Sequence, residues 1–333
     1  MKIWIYVGLG FLLSFTCGAS LARAQDKIRF GLSSVTAMNT ANWVAEERGL
    51  FRKHGLDAEV IVTGQGGVPG LGALLAGDIQ LLSGSGDLMI AATLRGGDAV
   101  ILAGTVNKGL QRILTKPEIK APGDLKGKRI GVTRIGAISH VVLLMMLPRW
   151  KMSANDVQVV QAGSSPNMLA SLEKGGIDAA VMSIPTMFVA EDRGYRVLLD
   201  MADTDIYYLH SILGTTRTYM KSNRDKVLRF LKAITEGLAY VKQHRKESTD
   251  IVKKKLRISG AVQERNLERS IELLSTKYYE QIPYTSQRGV ETILGYLEKE
   301  NPKAKTADPK SFYDDSLLRE IETSGFVKAL YQK

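Results

Sequence analysis

The chain is poor in cysteine: one of its 333 residues, Cys17, carries a thiol. Cys17 lies in an N-terminal segment that we predict below to be removed, and the rest of the chain has no cysteine. Such a protein forms no disulfide, no thiolate metal site and no iron–sulfur cluster, and it has no cysteine nucleophile. The hydrophobic core must therefore stabilise the fold alone, which a chain of this length can manage.

Histidine is also scarce, and none of the usual catalytic motifs is present. The four histidines occur singly, without the spacing that would set two on one helix face as metal ligands, at His54, His140, His210 and His244. The sequence has no P-loop, no nucleophile elbow and no Cys–His pair. We predict a protein that is not an enzyme and needs no metal or cofactor, although a catalytic group assembled from distant residues stays an alternative.

One apolar run stands out, and it is short. Residues 3–15 follow Lys2 and precede the small residues Ala22-Arg23-Ala24, the arrangement of a secretory signal with an A-x-A cleavage site. A membrane anchor is the alternative, but a spanning helix needs roughly 20 apolar residues. We predict a signal peptide over residues 1–24, cleaved near Ala24, and a soluble exported protein.

The charge balance is basic without the aromatic partners expected of a nucleic-acid-binding surface. The formal net charge is +11, and aromatic residues make up 7% of the chain. Many basic residues lie in the C-terminal third, as at residues 242–246 and 253–255, at helical spacing. This pattern predicts solvated helix faces and no nucleic-acid partner.

Strand and helix patterns alternate from residue 27 onward, and they repeat. Residues 27–33 resemble residues 128–133, and residues 75–79 resemble residues 173–177, about a hundred positions later. Alternation of this kind predicts mostly parallel sheets, and the repeat predicts two similar α/β halves. Chance similarity between βαβ segments is the alternative. The last third has helical periodicity.

A strand–turn–helix pattern at residues 128–147 is the clearest candidate for a binding element. The strand ends in the turn at residues 133–136, and an apolar helix follows. Free N–H groups and the positive end of the helix dipole favour an anion there, and Arg134 could add a planar charged fork. Alternatively, Thr133 and Ser139 only cap the helix and Arg134 is a solvated surface charge.

Other polar turns follow other predicted strands, at residues 33–36, 64–67, 83–87, 107 and 183. Ligands of open α/β sheets bind at the carboxyl ends of strands. Two such edges facing each other would form a cleft for a small polar or anionic molecule.

Five segments together resemble the periplasmic substrate-binding proteins of ABC importers, of nitrate/sulfonate/taurine type. They are WVAEERGLFRKHGL at 43–56, LAGD at 75–78, DLKGKRIG at 124–131, GIDA at 176–179 and SGFV at 324–327. Fungal thiamine-pyrimidine synthases share this fold. The resemblance implies a two-lobed, type II-like α/β protein in which each lobe is a mostly parallel sheet flanked by helices. Two crossover strands, near residues 111–116 and 211–217, would join the lobes, and the hinge would close on the ligand. Lobe 1 would comprise residues 25–115 and 212–333, and lobe 2 residues 116–211.

The resemblance also implies a site and a function. The ligand contacts would fall on Ser33, Ser34, Thr36, Gly64, Gln65, Ser85, Asn107, Thr133, Arg134, Gly136, Ser139 and Ser183. The protein would be a periplasmic monomer that captures a small organic anion or polar heterocycle, of the sulfonate, nitrate, carboxylate or pyrimidine class, and delivers it to an ABC transporter permease. A ligand sensor that signals to a membrane protein is one alternative. An exported enzyme is another, but the synthases depend on a cysteine-rich iron site that this chain cannot build.

Overall fold

A computed structural model of the chain describes residues 25–64 and 67–332. The predicted signal peptide over residues 1–24 lies outside the described residues, with Cys17 and the cleavage site near Ala24. Gln65 and Gly66 also lie outside them. Export and the signal peptide therefore stay predictions.

In the described residues, ten strands form two five-stranded sheets. The first sheet has the spatial order β2-β1-β3-β10-β4 and contains β1 (Asp26–Leu32), β2 (Leu56–Val62), β3 (Leu81–Gly84), β4 (Ala99–Lys108) and β10 (Tyr207–Thr216). The second has the order β7-β6-β8-β5-β9 and contains β5 (Gln111–Thr115), β6 (Arg129–Val132), β7 (Gln158–Gln161), β8 (Ala179–Ser183) and β9 (Arg196–Asp200). In the first sheet β10 alone is antiparallel to its neighbours, and in the second β5 alone is. The predicted mostly parallel sheets are confirmed.

Helices flank both sheets and make up most of the last third, as predicted. The helices are α1 (Thr40–Glu47), α2 (Leu50–Lys53), α3 (Val68–Ala76), α4 (Gly86–Leu94), α5 (Ile138–Arg149), α6 (Ser165–Glu173), α7 (Thr186–Asp192), α8 (Arg217–Ser222), α9 (Arg224–Gln243), α10 (Arg245–Leu256), α11 (Ala261–Leu273), α12 (Gln287–Leu297), α13 (Ser316–Thr323) and α14 (Phe326–Tyr331). We call the second sheet with α5, α6 and α7 the second lobe, and the first sheet with the helices packed on it the first lobe.

The chain changes sheets at other residues than the predicted lobe boundaries. It leaves the first sheet at residues 109–110, between β4 and β5, and returns at residues 201–206, between β9 and β10. β5 pairs with β8 and β9 in the second sheet, and β10 pairs in the first sheet from Tyr207 onward. The predicted boundaries at 115/116 and 211/212 differ from these points because β5 pairs in the second sheet and β10 pairs in the first, each in the sheet that the chain is entering. The sequence of a strand does not specify the sheet in which it pairs.

The internal repeat is visible in the packing of the two central strands. Gly31 in β1 and Gly131 in β6 occupy the same place in their sheets. A Cβ atom at Gly31 would lie 2.4 Å from Ile79 Cδ1, and one at Gly131 would lie 2.5 Å from Ile177 Cδ1. In each half, a glycine leaves room for the isoleucine that lies two residues before a neighbouring strand, β3 or β8. The two halves are therefore built alike.

A cluster of three phenylalanines stabilises the first lobe. Phe230 of α9 lies edge-on to Phe30 of β1, with ring centroids 4.9 Å apart, and stacks on Phe51 of α2 at 5.7 Å. Phe30 and Phe230 are completely buried. The long helix α9 is thus fixed against the strand whose carboxyl end begins the candidate site.

The basic C-terminal segments lie on helices and pair with acidic side chains. Lys255 of α10 contacts Glu46 at 2.7 Å and Glu47 at 3.0 Å, and Lys253 contacts Glu264 at 2.7 Å. Part of the positive charge therefore joins α10 to α1 and α11.

No helix within residues 25–64 and 67–332 has the length and apolar content needed to cross a membrane.

Candidate functional site

A cavity of about 600 Å³ lies between the two lobes, within the usual size range of small-molecule sites. Its walls come from the ends of β1, β3, β6 and β8 and from the start of β10. The lining residues are Ser33, Ser34, Thr36, Met38, Asn39, Gly67, Ser83, Gly84, Ser85, Asp87, Leu88, Arg134, Ala137, Ile138, Ser165, Pro166, Ser183, Ile184, Pro185, Thr186, Tyr208, His210 and Ser211. Hydroxyl groups from both lobes and an apolar surface thus face the same space.

A buried amide network shapes the wall of the first lobe. Asn42 Nδ2 donates to Asn39 Oδ1 at 2.9 Å and to Ser83 Oγ at 3.1 Å. Asn39 Nδ2 in turn donates to the backbone oxygen of Ser34 at 2.7 Å. This network holds the turn after β1 in place beside the cavity that Ser34 and Thr36 line.

Four N–H groups of the turn between β6 and α5 are paired within the protein. Ser139 Oγ accepts from Thr133 N at 2.9 Å, His140 Nδ1 accepts from Gly136 N at 3.1 Å, and the backbone oxygen of Arg134 accepts from Ala137 N at 3.1 Å. Ile135 N donates to Gln161 Oε1 at 2.9 Å. These four N–H groups are paired within the protein and are not free for an anion, and anion binding by the turn and the start of α5 stays a prediction. The turn also positions the Arg134 side chain.

An arginine and a carboxyl group face the cavity from different lobes. Arg134 is exposed on the second-lobe wall, and Asp87 lies in the first turn of α4 on the first-lobe wall. Burial raises the pKa of the Asp87 carboxyl, although the Ser85 hydroxyl, nearby backbone N–H groups and Arg134 act in the other direction. The cavity thus offers a guanidinium to an anion and a carboxyl group to a hydrogen-bond donor.

Replacing Asp87 with Asn should strengthen the binding of an anionic solute at pH 7. The change removes the negative charge that an ionised Asp87 places near the anion, and we expect a gain of about 1 kcal/mol, roughly fivefold in Kd. The pKa of Asp87 is raised, so the native protein holds this proton more tightly than the unfolded chain does. Its destabilising charge therefore develops as the pH rises towards that raised value. The gain from D87N should shrink as the pH falls.

The measurement is titration calorimetry of one anion with both proteins at pH 7 and pH 5. Asp57→Asn serves as the matched control, because Asp57 is exposed on β2 and does not line this cavity. Equal affinities of D87N and the parent protein at both pH values would contradict the prediction.

His210 and Tyr208 line the cavity from β10. Burial lowers the pKa of His210 to about 4, so the imidazole is neutral near pH 7. Its Nδ1 accepts a hydrogen bond from Leu110 N at 3.2 Å. Burial raises the pKa of the Tyr208 hydroxyl, which therefore stays protonated.

The second lobe contacts the first beside the cavity. Val141 of α5 is 1% exposed and belongs to one buried apolar cluster with Val290 and Ile293 of α12. Ile138, which lines the cavity, packs against the same cluster. This apolar contact between the lobes helps to enclose the site.

Half of the predicted ligand contacts line the cavity: Ser33, Ser34, Thr36, Ser85, Arg134 and Ser183. Thr133, Gly136 and Ser139 support the wall and do not line it. Gly64 is not part of the lining, and Gln65 lies outside the described residues. Contact with a ligand stays a prediction for all of them.

Asn107 has a structural place away from the cavity lining. Its Nδ2 donates to the backbone oxygens of Gly104 at 3.1 Å and Tyr284 at 2.8 Å, and its Oδ1 accepts from Ser286 N at 3.1 Å. Asn107 therefore ties β4 to the segment before α12. It was predicted as a ligand contact because it follows an apolar strand, but β4 continues to Lys108.

Several lining residues were missed by the sequence analysis. Ser165 had a usable signal, because Ser164-Ser165-Pro166 follows β7 and begins α6, where the other polar turns also lead from a strand into a helix. Met38, Asn39 and His210 had none. They lie inside a helical turn or a strand, and only the packing of the two lobes brings them to the cavity.

Comparison with known proteins gives consistent matches over most of the chain. Residues 38–248 match the model of a protein family described as NMT1/THI5 like. A Brucella abortus protein named "Putative binding protein" is 27% identical over 265 residues, which cover 78% of this chain and 81% of that protein.

Two solved structures extend the comparison. The periplasmic aliphatic sulphonate binding protein SsuA from Escherichia coli has a TM-score of 0.70 at 22% identity, over 84% of this chain and 89% of that chain. The periplasmic nitrate-binding protein NrtA from Synechocystis has a TM-score of 0.66 at 14% identity, over 90% of this chain and 89% of that chain. At these identities the likeness shows a shared fold.

Proposed function

The chain belongs to the NMT1/THI5-like family and has the periplasmic binding protein fold, and from this premise we propose that it is a solute receptor. It captures a small organic anion between its lobes, leaves that solute chemically unchanged, and delivers it to the permease of an ABC transporter. It acts as a monomer in the periplasm.

The observation that carries this proposal is the composition of the interlobe cavity. Arg134 supplies a permanent positive charge from one wall, and Ser34 and Thr36 supply hydroxyls from the other. Met38, Leu88 and other apolar side chains surround them. An anionic head group with an organic body satisfies both kinds of surface, since charge-assisted hydrogen bonds fix the head and burial stabilises the body.

The relatives support binding over catalysis. The Brucella protein is named as a binding protein, and the two solved structures are named as sulphonate- and nitrate-binding proteins. A synthase of the thiamine-pyrimidine kind would need a cysteine-rich iron site, and the chain has one cysteine.

The test is titration calorimetry with a panel of solutes: ethanesulfonate, benzenesulfonate, nitrate, benzoate and a 4-aminopyrimidine. We expect one anion class to bind with one-to-one stoichiometry and to be recovered unchanged after incubation. The pyrimidine is included because Asp87 could accept hydrogen bonds from its amino group. Failure of every solute to bind, or conversion of a bound solute into a product, would overturn the proposal.

Transport and sensing are separated by uptake. Deleting the gene from its source cell should abolish uptake of the labelled solute that binds, if the receptor serves a permease. Unchanged uptake together with a lost transcriptional response to that solute would favour the sensor instead.

A further inference from the structure

His210 lines the cavity but does not belong to the polar turns at the strand ends. It lies in β10 just after the chain has returned to the first lobe, and it lines the cavity. The pairing of β10 with β4 is irregular between Tyr207 and Ser211. Such an irregularity can turn a side chain away from the regular alternation of a strand. His210 thus lies beside the interlobe connections and faces the site as well.

The hydrogen bond of His210 fixes its tautomer. Leu110 N donates to His210 Nδ1 at 3.2 Å, and an N–H group can donate only to an unprotonated ring nitrogen. A neutral imidazole with a bare Nδ1 carries its proton on Nε2. The polar group that His210 has left for the cavity is therefore an N–H donor.

Leu110 belongs to the first interlobe connection, at residues 109–110. The next residue, Gln111, lies opposite Ser183 in the second sheet, and Ser183 lines the cavity. His210 of the first lobe is thus hydrogen-bonded to the residue that precedes β5. β5 pairs with β8, and the end of β8 forms part of the second-lobe wall of the site.

A second hydrogen bond joins the end of β4 to the second connection without reaching the site. Lys108 Nζ donates to the backbone oxygen of Thr204 at 3.1 Å, and neither residue lines the cavity. The chain therefore offers a matched comparison: one hydrogen bond to an interlobe connection that involves a cavity-lining residue, and one that does not.

We propose that His210 donates Nε2–H to an oxygen of the bound anion while its Nδ1 holds Leu110, and that it thereby couples solute binding to closure of the lobes. This inference rests on the proposed function. His210 acts as a binding group through one ring nitrogen and as a positioning group for the interlobe connection through the other.

Direct observation of the ring tests the first half without any ligand. In protein labelled with 15N-histidine, His210 should appear as the Nε2–H tautomer at pH 7. Addition of the benzenesulfonate or other anion that binds in the panel above should shift its Nε2 resonance. An Nδ1–H tautomer, or a charged ring at pH 7, would overturn the inference whether or not any anion binds.

Two substitutions divide the two roles. Asn places an acceptor near the position of Nδ1 but has no group at Nε2, whereas Gln places a donor near Nε2 and leaves Leu110 N without its partner. We expect His210→Asn to weaken binding of the anion about tenfold or more, and His210→Gln to weaken it less. In small-angle scattering, saturating anion should still compact H210N, whereas H210Q should compact less than the parent protein.

Lys108→Met is the control, and it should leave anion affinity unchanged. Equal losses of affinity in H210N and H210Q, or no loss in either, would overturn the coupling, because a merely structural histidine would not distinguish the two replacements. A protein that binds no anion of the panel contradicts the proposed function, whereas a wrong tautomer contradicts this inference alone.

Discussion

Replacing Arg134 with Ala should weaken binding of an organic anion by about 2 kcal/mol, roughly 30-fold in Kd. Removing one partner of a close charge pair costs about 2–5 kcal/mol. We expect the lower end, because Arg134 is exposed at the cavity wall and water can partly replace it. The measurement is titration calorimetry with the tightest-binding anion of the panel.

Two variants make the Arg134 experiment specific. Arg134→Lys keeps the charge but loses the planar fork, so its affinity should fall between those of the parent protein and R134A. Arg196→Ala removes an exposed arginine of the same lobe, in β9, that does not line the cavity. Its affinity should match that of the parent protein. A loss of affinity in R196A as large as that in R134A would show a general charge effect. Unchanged affinity in R134A would show that Arg134 is a solvated surface charge that does not contact the anion.

Replacing Phe230 with Ala should lower the free energy of unfolding by about 3–5 kcal/mol, the largest stability effect that we expect from one substitution. The Phe230 ring is completely buried between Phe30 and Phe51. Removing it loses the apolar burial and leaves a cavity that β1 and α2 cannot fill without moving. Urea unfolding, followed by tryptophan fluorescence, measures the change.

A graded series separates packing from other causes. Phe230→Leu retains most of the buried volume and should cost clearly less than F230A. Phe326→Ala removes a phenylalanine that is only partly buried at the start of α14, and it should cost about 1 kcal/mol, by the area that it buries. If F230A were no less stable than F326A, the phenylalanine cluster would not be the structural centre of the first lobe.

The turn at residues 133–139 shows what a local sequence pattern can predict about a binding element and what it cannot. Its sequence correctly predicts a strand, a turn and a helix, and Arg134 does reach the cavity. The hydroxyl of Ser139 and the ring of His140 lie within the same few residues, and they accept hydrogen bonds from Thr133 N and Gly136 N, two of the donors that were predicted for a ligand. Whether a donor is free depends on side-chain rotamers, which the sequence pattern does not specify.

The two glycines of the repeat show the opposite case. Gly31 and Gly131, with Ile79 and Ile177 after them, could be matched from spacing alone, because each glycine packs beside an isoleucine of the same continuous half of the chain. When the glycine and the isoleucine recur at the same spacing, the same packing between strand and connection recurs in the second half. The position of β5 and β10 could not be predicted in this way, since each strand pairs with segments far along the chain.

The sequence by itself determined the two α/β halves, the mostly parallel sheets, the helical last third and the serine-rich turns at strand ends. These features depend on residue periodicity and on turn chemistry within a few positions. The tertiary structure alone decided which sheet each connecting strand joins, that Asp87 faces Arg134 across the cavity, and that His210 receives the Leu110 N–H. Each of these depends on how distant segments of the chain pack against one another, and the free energy of that packing comes from contacts between residues that are far apart in the sequence.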